Sequence, residues 1–311
     1  MPDAPAQHRR ACVIGWPIGH SRSPMIHGYW LQQHGIDGAY EKRAVAPEEL
    51  ADFLLNLREH GLVGCNITVP HKEAAFALLQ HHAPQGLTEQ ARACKAVNTV
   101  WLDADGTLRG DNTDVHGFMA HFMASVPGWQ AAGKRITVLG AGGAARAIVA
   151  GFAQAGAGRI TIANRTLNKA EKLAEELALS LRADLRASPL TALPLLLRET
   201  DVLVNATSLG MHGQPPLHMD LSPLPRDAVV ADIVYAPLKT ALLKQAEARG
   251  LQTVDGLGML LHQAAPAFER FFGVRVEVTP ELRQLVEEDL RREQAEQQDG
   301  ETPSGQREQA S

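Results

Sequence analysis

The stretch Arg135-Ile-Thr-Val-Leu-Gly140-Ala141-Gly142-Gly143-Ala144-Ala145-Arg146 constrains this chain more than any other, because an apolar run passes through glycines into an alanine-rich segment. Ile136, Val138 and Leu139 are too few for a helix and are bounded by glycine, which reads as a buried parallel strand. Gly140 permits a tight turn, Gly142 lets the main chain approach a pyrophosphate, and Ala145 takes the third position, where a small residue allows helix and strand to pack closely. The main chain of Gly140, Ala141, Gly142, Gly143 and Ala144 is thus a candidate phosphate cradle. The helix start that follows turns free N–H groups and a partial positive charge toward the anion.

Glycine-rich turns also simply join strands to helices, so the residues that follow decide. A second strand over 158–163 comes after a helix of suitable length and completes a βαβ unit. At its end, where an NAD site carries Asp or Glu for the ribose hydroxyls, stand Asn164, Arg165 and Thr166, with Lys169 one turn further. Arg165 offers a planar fork to a 2′-phosphate, Thr166 a hydroxyl and Lys169 a second positive charge, so the cofactor reads as NADP.

A chain of 311 residues is long enough for two domains, and its 45% hydrophobic and 21% charged content is that of a globular protein. A net charge of −5 with dispersed basic residues gives no general attraction to nucleic acid or to an anionic membrane, which favours a small-molecule substrate. The three cysteines, Cys12, Cys65 and Cys94, form no CxxC pair and suit reduced thiols in the cytoplasm. The 13 histidines include no HExxH and no convincing ligand set, so no metal is expected. No signal peptide or membrane-spanning apolar run is evident. Composition leaves a homodimer open.

Before the glycine turn the chain alternates strand and helix. Residues 1–10 read as a loose lead-in. Strands are expected over 11–14, 40–45, 63–69 and 96–101, and helices over 24–34, 47–60, from Pro70 onward, 88–92 and 114–125. Ser23 is a natural N-cap before Pro24, while Ser21 is unexplained by capping; two hydroxyls at a helix start form a ready carboxylate site. Asn66 and Thr68 share one face of their strand and, if buried, need partners in the protein or in a ligand. Lys72 opposes the dipole of the helix it opens. Asn98 interrupts an apolar strand, and the cluster Gly110-Asp-Asn112-Thr113-Asp114 holds more polar groups than one cap requires. All lie near strand ends or helix starts, where α/β sheets bind ligands.

After the dinucleotide unit, strands are expected over 184–187, 201–205, 229–235 and 251–254. Thr207 belongs to a polar turn beside the cofactor cleft. A helix is expected from Pro237 to about 250, another after Gly256 carrying Met259 and Gln263, and an amphipathic one over 280–294. The end of the chain is polar enough to be disordered.

Taken in order, Ser21-Arg-Ser23-Pro, Asn66-Ile-Thr68-Val-Pro-His-Lys72-Glu, Ala96-Val-Asn98-Thr, Gly110-Asp-Asn-Thr-Asp114, Gly140-Ala-Gly-Gly-Ala, Asn164-Arg-Thr166, Asn205-Ala-Thr-Ser and Asp255-Gly-Leu-Gly-Met259-Leu resemble the shikimate dehydrogenase family. The resemblance spans roughly 12–290. It implies an α/β fold of two domains with a cleft between them: a substrate domain of residues 1–113 with 256–295, and a Rossmann-like NADP domain of residues 114–255. Residues 296–311 would be a disordered tail. It implies NADP-dependent, reversible reduction of 3-dehydroshikimate to shikimate in aromatic amino-acid biosynthesis. It gives Ser21 and Ser23, with Tyr235 nearby, to the substrate carboxylate, and Asn66, Thr68, Asn98 and Gln263 to the ring hydroxyls. Lys72 becomes the acid/base and Asp114 its orienting partner. Gly256, Met259 and Thr207 join the cofactor residues. Lys169 stands where the family more usually carries arginine.

Two other functions compete. A quinate/shikimate dehydrogenase of broader substrate or cofactor use shares the carboxylate and hydroxyl recognition, although Asn164-Arg165-Thr166 argues against NAD. A silent Rossmann protein that senses NADPH or a metabolite predicts loss of Lys72 or Asp114, and both are present.

Overall fold

The computed structural model describes residues 8–300, with side chains described to residue 296. Residues 1–7 of the expected lead-in and 301–311 of the expected tail lie outside the described residues. No helix among the described residues is long and apolar enough to cross a membrane.

The first half of the chain builds a five-stranded sheet from β1 (Arg9–Gly15), α1 (Ser23–Gln33), β2 (Gly38–Ala44), α2 (Leu50–Leu55), β3 (Gly64–Ile67), α3 (Lys72–His82), α4 (Glu89–Cys94), β4 (Thr99–Leu102) and β5 (Leu108–Asp111). Its order is β2-β1-β3-β4-β5. The first three strands are parallel, β4 runs antiparallel to β3, and β5 runs antiparallel to β4. The registers Val13↔Asn66 and Asn66↔Thr99 place Asn66 in the middle of this sheet among buried neighbours.

Helix α5 (Asp114–Ser125) then leads to β6 (Arg135–Leu139), α6 (Gly143–Gln154), β7 (Arg159–Asn164), α7 (Leu167–Leu181), β8 (Leu185–Pro189), α8 (Leu193–Leu196), β9 (Val202–Asn205), β10 (Val229–Asp232), α9 (Ala241–Ala248) and β11 (Gln252–Val254). These strands form a six-stranded sheet in the order β11-β10-β9-β6-β7-β8, parallel throughout. This is the doubly wound order, and its switch point lies between β6 and β9, where ligands bind beyond the strands' carboxyl ends. Ile136, Val138, Val202, Val204, Val229 and Ala231 are buried with one face of α6 and α7, as a sheet covered on both sides requires.

Two helices tie the sheets together. α5 packs Phe118 and Phe122 against Phe152 of α6 with edge-on ring centroids 5.5 and 5.3 Å apart. α10 (Gly256–Phe272) returns to the first sheet and buries Leu257, Leu261, Ala264, Phe268 and Phe271 with Val13, Ile26 and Trp30. Each of the large side chains among them contributes about 1.5–3 kcal/mol on removal from water. A smaller cluster of Cys94, Ala96, Val115, Ala147 and Ala150 closes the seam between the halves. α11 (Pro280–Gly300) lies on α1 and α10.

Several boundaries differ from the sequence reading. β1 begins at Arg9 because Arg9 and Arg10 pair with Gly38 and Ala39, a backbone match that exposed arginines do not advertise. The expected helix over 47–60 is a 3₁₀ turn, Pro47–Glu49, followed by the short α2, after which the chain folds back through Gly61 at φ +69°. Residues 108–111 form β5, unexpected because Arg109 and Gly110 break apolar alternation. The helix expected from Pro237 starts at Ala241, where Thr240 Oγ1 accepts from Leu243 N at 3.3 Å. α11 runs to Gly300, so residues 296–300 of the expected disordered tail are helical. Its sequence is rich in Glu, Gln, Arg and Leu, good helix formers, and Arg291 pairs with Glu287 one turn back at 2.8 Å.

Candidate active site

Lys72 and Asp114 each open a helix, α3 and α5, and their side chains converge in the cleft between the sheets. Lys72 Nζ donates to Asp114 Oδ2 at 2.5 Å, with the two side chains only 13% and 6% exposed. The lysine is placed by the turn after β3: His71 Nε2 lies 2.8 Å from Val45 O, and Val97 N donates to Lys72 O at 2.9 Å. The carboxylate suits its helix start, and the ion pair offsets the lysine's unfavourable position on its own dipole. Asp114 N also donates to Asn112 Oδ1 at 3.2 Å.

Asn98, just ahead of β4, is the hub of the polar groups around this pair. Its Nδ2 donates to Asp114 Oδ1 and to Thr113 Oγ1, each at 3.0 Å, and reaches Gln263 Oε1 of α10 at 3.4 Å. Its Oδ1 accepts from Thr113 N at 2.7 Å. Gln263 is further held by Leu260 O, which accepts from its Nε2 at 2.9 Å. Buried Asn66 finds its partners within the protein: Oδ1 accepts from Tyr40 Oη at 2.6 Å and Nδ2 donates to Thr99 Oγ1 at 2.9 Å. Thr68 lies half-buried just past the end of β3, its N donating to Ile14 O at 2.9 Å. Sequence reading missed Tyr40, Thr99 and Thr113. Thr99 and Thr113 sit inside motifs already singled out, whereas nothing in the pattern around Tyr40 marks it. Burial pushes the Tyr40 phenol well above its usual range, so it stays a donor.

Ser23 is not the N-cap expected of it. It is the first residue of α1, and the cap position, Arg22, makes no side-chain cap bond. Ser21 Oγ instead accepts from Ser23 N at 3.3 Å and lies 3.3 Å from Ser23 Oγ. Both hydroxyls are therefore gathered at one helix start. Arg22 between them turns the other way, to Asp289 at 2.7 Å and Glu293 at 2.5 Å on α11. Tyr235 follows β10 and faces the same corner; burial raises its phenol, with the Arg22 charge opposing.

The glycine turn faces the pair from the second sheet. Gly140 holds φ +106°, a conformation other residues rarely adopt, with its Cβ direction 3.0 Å from Ala206 O. Gly142 is exposed with open space where a side chain would stand, and Ala141, Gly143 and Ala144 are half-buried around it. A Cβ on Gly143 would lie 3.2 Å from Lys72 Cβ, so turn and lysine are in direct contact. At the end of β7, Arg165, Thr166 and Lys169 are exposed, neither cation has an ion-pair partner among the described residues, and Asn164 Nδ2 braces the turn by donating to Thr166 O at 2.9 Å. The open main chain and the unpaired cations fit a dinucleotide with a 2′-phosphate.

Thr207, at the end of β9, donates from Oγ1 to Asn205 Oδ1 at 2.7 Å, and Asn205 Nδ2 donates to Asp232 Oδ1 at 2.9 Å. This network stiffens the floor of the cleft. Gly256 presses against Ile233 O, and buried Met259 stands one turn on, joining the second sheet's core.

A doubly wound sheet whose switch-point turn touches a buried lysine of a second α/β domain, with that lysine's aspartate partner at the junction between the two, defines a dinucleotide-dependent dehydrogenase. Family models agree: the shikimate dehydrogenase substrate-binding domain matches residues 13–100, shikimate/quinate 5-dehydrogenase matches 124–212, and the shikimate 5′-dehydrogenase C-terminal domain matches 256–285. The chain belongs to the shikimate dehydrogenase family. The shikimate dehydrogenase (NADP+) of Methylobacterium radiotolerans is 56% identical over 283 residues, covering 90% of this chain and 97% of that one. Among solved structures, quinate dehydrogenase from Corynebacterium glutamicum with NAD aligns at TM-score 0.81 and 30% identity over 90% of this chain and 98% of its own. Shikimate 5-dehydrogenase from Thermus thermophilus with NADP(H) and shikimate aligns at 0.74 and 36% over 91% and 99%.

Proposed function

We propose that this protein catalyses the reversible NADPH-dependent reduction of 3-dehydroshikimate to shikimate, a step of chorismate and aromatic amino-acid biosynthesis. One observation carries the reading: Lys72 Nζ and Asp114 Oδ2 meet at 2.5 Å, with Asn98 and Gln263 beside them and the glycine turn against the lysine. An alcohol that exchanges a hydride must also exchange a proton, which requires one positioned acid/base. NADPH, when bound, supplies the hydride.

In this assignment Lys72 Nζ donates the proton to the carbonyl oxygen during reduction and accepts it during oxidation. Asp114 aims the ammonium and takes one hydroxyl. Asn66, Thr68, Asn98 and Gln263 hold the remaining ring hydroxyls, with Asn98 already fixed by Thr113. The Ser21 and Ser23 hydroxyls at the start of α1, together with Tyr235, take the carboxylate. Gly140 to Ala144, Asn164, Arg165, Thr166, Lys169, Thr207, Gly256 and Met259 hold the cofactor. We assign residues 1–113 with 256–295 to the substrate domain and 114–255 to the cofactor domain; α5 and α10, which start at Asp114 and Gly256, support that division. A cytoplasmic location is supported by three free, buried thiols, of which burial pushes Cys94 up to about 12.

Initial rates of nicotinamide reduction with shikimate and quinate, each against NADP and NAD, test the function. Turnover confined to shikimate with NADP is the expected result. Comparable rates with quinate or NAD would place the enzyme in the broader-specificity group, and no turnover in any combination would leave a sensor.

A further inference from the structure

Arg146 is used by nothing described so far. It stands three residues beyond Gly143 in α6, and its side chain is 7% exposed. Its Nη2 donates to Glu176 Oε2 of α7 at 2.7 Å, an anchor within the cofactor domain. Its Nε lies 3.6 Å from Glu73 Oε1, on α3 in the substrate domain, and Glu73 is the residue next to Lys72. That separation is an ion pair but not a hydrogen bond, and neither Nε nor Nη1 has a hydrogen-bond partner among the described residues.

A guanidinium stays charged at any physiological pH, and buried N–H donors without acceptors are uncommon in folded proteins. The Glu73 carboxylate is half-exposed. Bringing it to a charge-assisted hydrogen bond of about 2.7–2.9 Å requires a shift of less than about one ångström. Taken up by the main chain, that shift would move α3 toward α6, along the contact between Lys72 and Gly143.

We propose, building on the dehydrogenase reading, that Arg146 is a positioning residue. Anchored by Glu176 in one domain, it draws Glu73 of the other onto its free N–H edge and so seats Lys72 against the cofactor turn when both ligands are bound. Cofactor and substrate then tighten each other's binding through this tie. Arg146 touches neither.

The test titrates NADPH by its fluorescence, alone and with saturating shikimate, a pair between which no hydride can move. In the wild-type protein shikimate is expected to tighten NADPH by about fivefold or more, the usual scale of coupling between sites. Glu73→Gln, at a half-exposed position that leaves the fold intact, is expected to bring that factor close to one and to lower kcat about tenfold. The dissociation constant of each ligand alone stays within about twofold, which a general loss of structure would not allow. Arg146→Lys is the second variant, expected to lose the coupling likewise. Retention of both coupling and kcat in Glu73→Gln would overturn the proposal, as would wild-type protein in which shikimate leaves NADPH affinity unchanged. Wild-type protein that neither binds nor oxidises shikimate would sink the dehydrogenase reading, and the tie with it.

Discussion

Lys72 and Asp114 stand 42 residues apart in the chain and meet at 2.5 Å because each opens a helix at the edge of the same cleft. On the proposed assignment the lysine moves the proton and contributes little to holding substrate. Lys72→Ala is therefore expected to lower kcat by about 10²- to 10⁴-fold, the range for a positioned acid/base, with KM for shikimate changed only a few-fold. Steady-state kinetics separates the two. A variant that keeps kcat and loses affinity would make Lys72 a binding residue.

On the proposed assignment the exposed Arg165 fork is what separates NADP from NAD. One or two charge-assisted hydrogen bonds of about 1.5–3 kcal/mol each correspond to about tenfold or more in affinity per bond. Arg165→Ala is expected to raise KM for NADP by about 10- to 100-fold while KM for NAD stays within about twofold. Equal losses on both cofactors would mean that Arg165 supports the turn and does not read the phosphate.

His27 gives the fold an acid-sensitive point. Its ring stacks on Tyr40, centroids 3.9 Å apart at 6°, and neither ring nitrogen has a partner among the described residues. Burial lowers its pKa from 6.5 to about 3. Below pH 6.5 the unfolded chain binds a proton that the folded ring refuses, so this contribution to stability is present above that pH and is lost on acidification toward pH 3. His27→Phe keeps an aromatic ring on Tyr40 and removes the titration. Relative to wild type, the variant should gain about 2 kcal/mol between pH 8 and pH 5, at about 1.4 kcal/mol per pH unit below the unfolded pKa. Urea unfolding at both pH values checks this; a pH-independent difference would show that the ring titrates normally in the fold.

His27 and Tyr40 also mark where the sequence stops being legible. The glycine turn announced itself because Gly140, at φ +106°, answers a backbone requirement local to the turn, and strand β6 was visible as an apolar run. Asn66 was visible as a polar residue in an apolar strand, but its partner Tyr40 lies on β2 and Thr99 on β4, pairings set by sheet register. Ser23 looked like a cap because capping is a local pattern; Ser21 instead accepts from its main chain. That Lys72 faces Asp114 followed from likeness to a family and not from spacing, since tertiary packing of α3 against the start of α5 decides it. The tie through Arg146 is equally invisible, because an arginine in an alanine-rich helix reads as a surface residue until α3 and α7 close over it.

The contact between Gly143 and Lys72 separates stability from catalysis in one substitution. Alanine is favoured over glycine in a helix interior by about 0.8–1 kcal/mol and by less at a first helical residue, so Gly143→Ala at the start of α6 should leave thermal stability nearly unchanged. The added methyl would stand 3.2 Å from Lys72 Cβ and 3.3 Å from Cδ, closer than side chains ordinarily pack. The lysine must yield by a few tenths of an ångström, away from the cofactor turn. Since about 1 Å of misplacement can cost on the order of 10²-fold in rate, a displacement of that size should lower kcat by about two- to tenfold. KM for shikimate should hold, because Ser21, Ser23 and Gln263 are untouched. Thermal melting with steady-state rates reads both halves: a lower melting temperature would place the damage in the turn itself, and an unchanged kcat would show that Lys72 tolerates the methyl without losing its aim.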